Sequence, residues 1–226
     1  MRVYYKRVTP QHFGNFEANL RFIDATGVFA RPGIRALEVG TGTGALLHEL
    51  IRRGYSVRGV ELNPSLIDEG RARFGALPVE QVSGVGLPAA DGEFDVVLSF
   101  DVFEHIQDTG AHLAEVSRVL APGGSYLLQT PQKWWNTLFE TIRWRSATAW
   151  RRDHCALHTM SELKACLRRH GLEPVAWDVP VVNEFFREKV RRHLGLPGTA
   201  VLAVVNPDRL PLAWRTNMYV QAVKQG

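Results

Sequence analysis

Cysteine is nearly absent from this chain. Its two cysteines, Cys155 and Cys166, stand eleven positions apart and form no C-x-x-C pair, so neither a disulfide framework nor a cysteine-rich zinc site is indicated, and a cytoplasmic location is expected. Long apolar runs are missing too. The opening "MRVYYKRVTPQHFG" has no apolar core of the secretory kind, and the run Ala200–Val205 is far too short to span a bilayer. Any membrane contact is therefore expected to be peripheral. Internal repeats and low-complexity segments are also lacking. An acidic surplus is absent: 27 Lys and Arg against 23 Asp and Glu leave a net charge of +4, with a pI near 9.3. The basic surplus gathers in "RRGYSVR", "RWRSATAWRR" and "REKVRRHLG"; such runs are usually solvated faces, so nucleic acid is not the expected partner.

What remains is an ordinary globular composition of 226 residues, 45% apolar and 22% charged, enough for one well-buried core. We expect one domain over residues 1–226, with residues 1–33 as an N-terminal helical segment. Phe13, Phe16, Leu20 and Ile23 fall at helical spacing there. "IRALEV", "YSVRGVEL", "PVEQVS", "FDVVLSF", "SYLLQT", "LEPVAWDV" and "TNMYVQAVK" read as seven strands. Helices alternate with them: "GALLHELIRRG", a helix from Pro64 to about Phe74 capped by Asn63, "DTGAHLAEVSRVLAPGG", "TMSELKACLRRHG" and "NEFFREKVRRHL". Strands alternating with helices predict a parallel, doubly wound α/β sheet. Residues 132–158, aromatic and basic, interrupt the pattern after the fifth strand as a lid-like insertion over the strand ends.

In such a sheet the ligand sits beyond the carboxyl ends of the strands, where the strand order reverses. Glu38, Gly40, Gly42 and Gly44 follow the first strand as E-x-G-x-G-x-G. Glycine allows a tight turn and close ligand approach, whereas a plain strand-to-helix turn needs one glycine rather than three. The third glycine is one position early for a dinucleotide fingerprint, and no Gly-Lys-Ser/Thr follows, which favours a ligand without phosphates. Glu61, ending the second strand, has the chemistry to accept hydrogen bonds from a ribose diol. Leu62 beside it could lie on a purine face. The plainer alternative is a surface glutamate at a helix start.

Together "ALEVGTGTG", "VRGVELNPSLIDEGRARF", "LPAADGEFDVVLSFDVFEHI" and "EVSRVLAPGGSYLLQTP" resemble the class I S-adenosylmethionine-dependent methyltransferases over roughly Ile34 to Val175. Within that class the resemblance is to the broad group that includes ubiquinone-pathway O-methyltransferases. It implies a Rossmann-like seven-stranded sheet with the last strand antiparallel, and S-adenosyl-L-methionine as cofactor. It also implies that Glu38 and the glycines border the methionine part, Glu61 holds the ribose, Phe100 flanks the cofactor, and Ser83 and Gly84 lie at the adenine. Members often carry Asp where Ser83 stands, and a hydroxyl is a weaker acceptor for the adenine amine.

Methyl transfer then needs positioning and removal of a proton from the acceptor. His105 and His154 are the candidate bases, each with a hydrogen-bonded structural histidine as the plainer alternative. Asp101, Glu104 and His105 stand at i, i+3 and i+4, one face if helical. Some relatives with such a run and a later histidine bind a divalent metal there, so His154 would be a fourth ligand. No metal is our first expectation, because the Glu-His pair is widespread in relatives not implied to bind one. Trp134, Trp135, Leu138, Phe139 and Ile142 form an apolar stripe, followed by Arg143, Arg145, Arg151 and Arg152. It is either a helix packed on the domain or a lid over an aromatic or lipid-like substrate, with the arginines facing an anionic group or membrane surface. The expected reaction is methyl transfer to oxygen or nitrogen of a small molecule. The alternatives are a metal-assisted RNA 3′-end 2′-O-methyltransferase and a non-catalytic S-adenosylmethionine-binding protein.

Overall fold

Consecutive apolar residues in the central strands belong to opposite sides of one sheet. Ala36, Val96, Leu98 and Leu127 join a cluster with Phe22, Leu47 and Leu50, while Leu37, Val97 and Leu128 join another with Leu113, Val116 and Leu163. Strands covered on both faces read as continuous apolar runs, as parallel sheets require. The computed structural model describes residues 15–146, 148, 151 and 154–226.

The strands are β1 (Arg35–Val39), β2 (Ser56–Glu61), β3 (Val79–Gln81), β4 (Phe94–Phe100), β5 (Leu120–Pro131), β6 (Leu172–Trp177) and β7 (Asn217–Lys224). Their order across the sheet is β3-β2-β1-β4-β5-β7-β6. β1 to β5 pair in parallel, and β7 runs antiparallel to both β5 and β6, as the sequence led us to expect. The direction of winding reverses between β1 and β4, which puts the switch point at their carboxyl ends.

The helices are α1 (Phe16–Thr26), α2 (Ala45–Arg52), α3 (Pro64–Phe74), α4 (Thr109–Val119), α5 (Lys133–Trp144), α6 (Met160–Arg169) and α7 (Glu184–Val204). Asn63 caps α3, its side chain accepting from the Ser65 N–H at 3.0 Å. The fully buried face of α1 is Ala18, Asn19, Phe22 and Ile23, with Phe16 and Leu20 of the expected stripe packed against the same cluster; Asn19 joins that face by accepting the Tyr219 hydroxyl at 3.0 Å. Phe13 lies outside the described residues. β5 starts earlier than expected, since Leu120 pairs with Phe94 before the register shifts and resumes at Val96 and Ser125.

The largest departure is α7, expected to end at Leu194. It turns at Gly195, where φ is +62°, and continues through Pro197 to Val204. Glycine tolerates that φ, and proline is accommodated in the first turn of the renewed helix. A Cβ on Gly198 would meet Leu194 and Val190, so this glycine lets the second half lie close against the first.

Candidate active site

The glycine turn and Glu61 form one unit. Gly40, Gly42 and Gly44 all have positive φ, at 74°, 56° and 76°. The conformation alone therefore asks for three glycines, a stronger local reason than ligand approach. A Cβ on Gly40 would also meet Val102, and one on Gly44 would meet Leu77 at 2.6 Å, whereas one on Gly42 would meet nothing within 4 Å. Open space beside Gly42 is where backbone can be approached. On α3, Gly70 faces the carbonyl of Thr43 with no room for a side chain, which brings that helix against the turn.

Glu61 is buried, and its carboxylate is already in use. Oε2 accepts from the Gly42 N–H at 2.7 Å, and Oε1 accepts from the Leu62 and Asn63 N–H groups at 2.9 Å each. It ties the end of β2 to the glycine turn, and the second lone pair of Oε2 stays available. Leu62 is 58% exposed, placed to cover something flat. Val82 donates to the Glu61 carbonyl at 3.0 Å, which brings Ser83 and Gly84, both exposed, beside the end of β2. Phe100 is half-buried at the end of β4, edge-on to Phe22 at 6.2 Å.

Glu38 ends the same strand that feeds the turn. It is buried, and its Oε2 has no hydrogen-bond partner. Burial, reinforced by the nearby charge of Glu61, pushes its carboxyl pKa up to about 8. A buried acceptor without a donor is costly to fold, and it suits a ligand that brings a donor or a positive charge.

Beyond β4 a second cluster forms. A 3-10 turn at Phe103–His105 buries Glu104 and exposes His105. Glu104 Oε2 accepts from the Thr130 hydroxyl at 3.0 Å, and its main-chain carbonyl accepts from the N–H groups of Cys155 and Ala156. That carbonyl draws the segment after the insertion back to the sheet, so the rings of His105 and His154 lie 5.1 Å apart. One ligand atom each from Glu104, His105 and His154 lies within 4.8 Å of the others. Burial, then the charge of Asp101, raises the Glu104 carboxyl to about 8.

Asp101 does not join them on a helical face. It sits before the turn in a left-handed conformation, φ +55°, and its carboxylate accepts from Asn15 Nδ2 at 3.1 Å to each oxygen. The one-face expectation fails because the helical geometry begins only at Phe103. Asn15 Oδ1 accepts in turn from Asn217 at 3.1 Å, and Gln129 holds both Asn217 and the Asp101 N–H. Asn15, Asn217 and Gln129 were not legible as site residues, since nothing in their local sequence distinguishes them.

Asn15, Asp101, Glu104, His154 and Asn217 form the polar end of a cavity of about 820 Å³, which His105 and Gln129 do not line. Asp101, Glu104 and His154 line one part, and the remainder is mostly apolar: Trp135, Leu138, Phe139 and Ile142 from α5, and Val190, Leu194, Val201 and Leu202 from α7. Gln132 caps α5 through its side-chain oxygen, and Trp135 Nε1 anchors it to the Trp214 carbonyl at 2.7 Å. The expected stripe is thus real, but it faces a cavity whose other wall comes from α7. Arg143 lines the cavity and pairs with the buried Glu140 at 3.2 Å. Arg145 and Arg151 are exposed, and Arg152 lies outside the described residues.

A largely parallel α/β sheet carrying a glycine turn, an acid at the end of β2 and a cavity beyond the strand ends defines a nucleoside-cofactor enzyme fold. A model of the methyltransferase-domain family matches residues 12–176, and the chain belongs to that family, the S-adenosylmethionine-dependent methyltransferases. Over 154 residues it is 31% identical to a ubiquinone biosynthesis O-methyltransferase of Cereibacter sphaeroides, covering 63% of this chain and 62% of that one. It is 40% identical over 98 residues to an uncharacterized methyltransferase of Mycobacterium sp., covering 43% of this chain and 39% of the other. The alignments thus span less than two thirds of these relatives. The fold matches a crystal structure of an S-adenosylmethionine-dependent methyltransferase from Mesorhizobium loti with a TM-score of 0.64 at 14% identity, over 96% of this chain and all of that one. The family's cofactor is S-adenosylmethionine. The orphaned Glu38 oxygen, the open backbone at Gly42 and the spare lone pair of Glu61 suit its ammonium and hydroxyl donors.

Proposed function

We propose that this protein transfers a methyl group from S-adenosylmethionine to an oxygen or nitrogen of a small molecule that has an apolar portion and a polar head. The observation that carries this reading is the single cavity joining the Asp101, Glu104 and His154 end to the apolar walls of α5 and α7. Bound S-adenosylmethionine supplies a methyl group activated by a sulfonium. On the protein's side, Glu38 and the glycine turn with Gly40, Gly42 and Gly44 hold the methionine part, and Glu61 receives a ribose hydroxyl while bracing the turn. Leu62, Ser83, Gly84 and Phe100 enclose the base and its surroundings. His154 lines the polar end of the cavity and the ring of His105 lies 5.1 Å from it; as the general bases of this reading they take the proton of a head group bound there, the step a histidine serves near neutral pH. Asp101, braced by Asn15, orients that head. Helix α5, within residues 132–158, covers the apolar portion and keeps water from it.

The test is direct. Calorimetry should give saturable S-adenosylmethionine binding, and labelled methyl groups should pass to members of a panel of amphiphilic phenols, catechols and amines. No cofactor binding would overturn the reading.

The proximity of Glu104, His105 and His154 favours a second reading, in which a divalent cation held by these three orients and acidifies a hydroxyl acceptor. Turnover that survives exhaustive chelation would exclude it. Methylation of RNA 3′ ends, with the cation required, would instead move the acceptor from small molecule to RNA.

A further inference from the structure

No helix among the described residues is long and apolar enough to cross a membrane, yet one helix end is apolar and uncovered. From Leu196 to Val205 there is no charged residue. Leu196 is 81% and Val204 is 86% exposed, in the same half-helix whose Val201 and Leu202 line the cavity. Across the cavity, Leu138 and Ile142 of α5 also line it while remaining half-exposed, and Trp134 and Trp144 stand outside it, exposed. Phe139 meets His193 edge-on at 5.7 Å, joining α5 to the first half of α7. Exposed apolar side chains on two neighbouring elements, around one opening, are more than scattered surface residues.

The charge in the segments that carry this rim is mostly positive. Residues 132–158 and 183–205 together carry nine Lys and Arg against four Asp and Glu. That excess of five is larger than the net charge of the whole chain, +4, so the positive surplus of the protein resides in these two segments. Arg145, Arg187 and Arg191 are exposed there. Trp134 and Trp144 have faces on which a base can stack, but the most exposed apolar residues of the rim, Leu196 and Val204, are aliphatic and offer none, which favours a lipid over nucleic acid as the anionic partner. A second copy would bring two like-charged rims together across a two-fold axis, which repulsion opposes.

We infer that the rim formed by α5 and the second half of α7 docks on an anionic lipid bilayer, with Leu196, Val204, Trp134 and Trp144 entering the interface and the arginines at the headgroups. Apolar insertion combined with basic attraction is the chemistry of interfacial helices, and long arginine stems let both occur on one face. Docked this way, the cavity opens toward the bilayer, and its acceptor is an amphiphile drawn from the membrane. That last step rests on the function proposed above; the docking itself does not.

The full-length chain is floated with vesicles of phosphatidylcholine alone and of phosphatidylcholine mixed with phosphatidylglycerol, without cofactor or acceptor. Retention on the mixed vesicles should exceed that on neutral ones by about tenfold and fall as salt is raised. The double variant L196D/V204D should lose about tenfold in retention, with its circular dichroism and S-adenosylmethionine affinity unchanged. In the wild-type chain, brominated lipid should quench tryptophan fluorescence, a readout that needs no variant. Equal retention on both vesicle types, no quenching, or retention indifferent to L196D/V204D would overturn the inference. So would concentration-dependent self-association in free solution that L196D/V204D abolishes, which would make the rim an interface between copies. Absence of cofactor binding with intact vesicle binding would instead strike the proposed function and leave the docking face standing.

Discussion

The glycine-turn half and the cavity half of the candidate site are built by different means. On the β1–β3 side, backbone does the shaping: three left-handed glycines make the turn, and one carboxylate collects three N–H groups from it and from the residues after β2. Everything there lies between Glu38 and Gly84. On the β4–β5 side, side chains from remote parts of the chain converge: Asn15 on Asp101, Cys155 and Ala156 on Glu104, Asn217 on Asn15, and α5 facing α7. On the proposed function, the local frame serves the cofactor and the convergent side chains serve the acceptor.

If the halves divide cofactor from acceptor, their variants should separate. The largest effect is expected on the acceptor side: His105→Ala and His154→Ala should lower kcat by about 100- to 10,000-fold with any acceptor that turns over, while calorimetric cofactor affinity changes by less than about twofold. Loss of cofactor affinity in either would break the division. On the other side, Glu61→Ala leaves three N–H groups without their acceptor and should weaken cofactor binding about 100-fold, with a lowered Tm. Glu61→Gln keeps one acceptor oxygen and should fall between.

Filling the apolar cavity is a milder intervention. Val201→Trp should raise KM for an amphiphilic acceptor about tenfold, and kcat should hold if the cavity binds only the apolar portion. A cofactor affinity that moved with it would show the halves to be one.

The smallest effect is on stability. Glu38 has a folded pKa of about 8 against an ordinary 4.5. The folded state therefore holds its proton more tightly, and the stability this gives is complete below pH 4.5 and lost as pH rises through 8. Glu38→Gln has no such proton to lose. In denaturant titrations without cofactor, the wild type should fall relative to this variant between pH 5 and 8, by about 4 kcal/mol at most. If the buried acid serves the ligand at the cost of the free fold, the same variant should bind cofactor more weakly.

Most of the strand and helix order was legible because each element carries its own period and cap, as Asn63 and Pro64 do for α3. The glycine turn and Glu61 were legible for a related reason, since every partner is within one βαβ unit. Two of the readings that needed correction bear on the site. Asp101, Glu104 and His105 share one face by spacing if helical, but that assumes a helix that starts at Asp101, and a left-handed residue stands there instead. The half-helix beyond Gly195 was hidden because Gly-Leu-Pro-Gly reads as an end, while tertiary packing of Gly198 on Leu194 and Val190 turns it into a kink.

The sequence by itself determined the alternating sheet, the three-glycine turn, the acid after β2 and the family to which they belong, because those features depend on φ preferences, hydrophobic period and short spacings. Only the tertiary structure decided which histidines meet, that Asn15 braces Asp101, and that α5 and α7 enclose one cavity with an apolar rim. Those contacts join residues up to about two hundred positions apart, as Asn15 and Asn217 are. No local preference encodes such a pairing; it exists only once the sheet has set the ends of β4, β5 and β7 side by side.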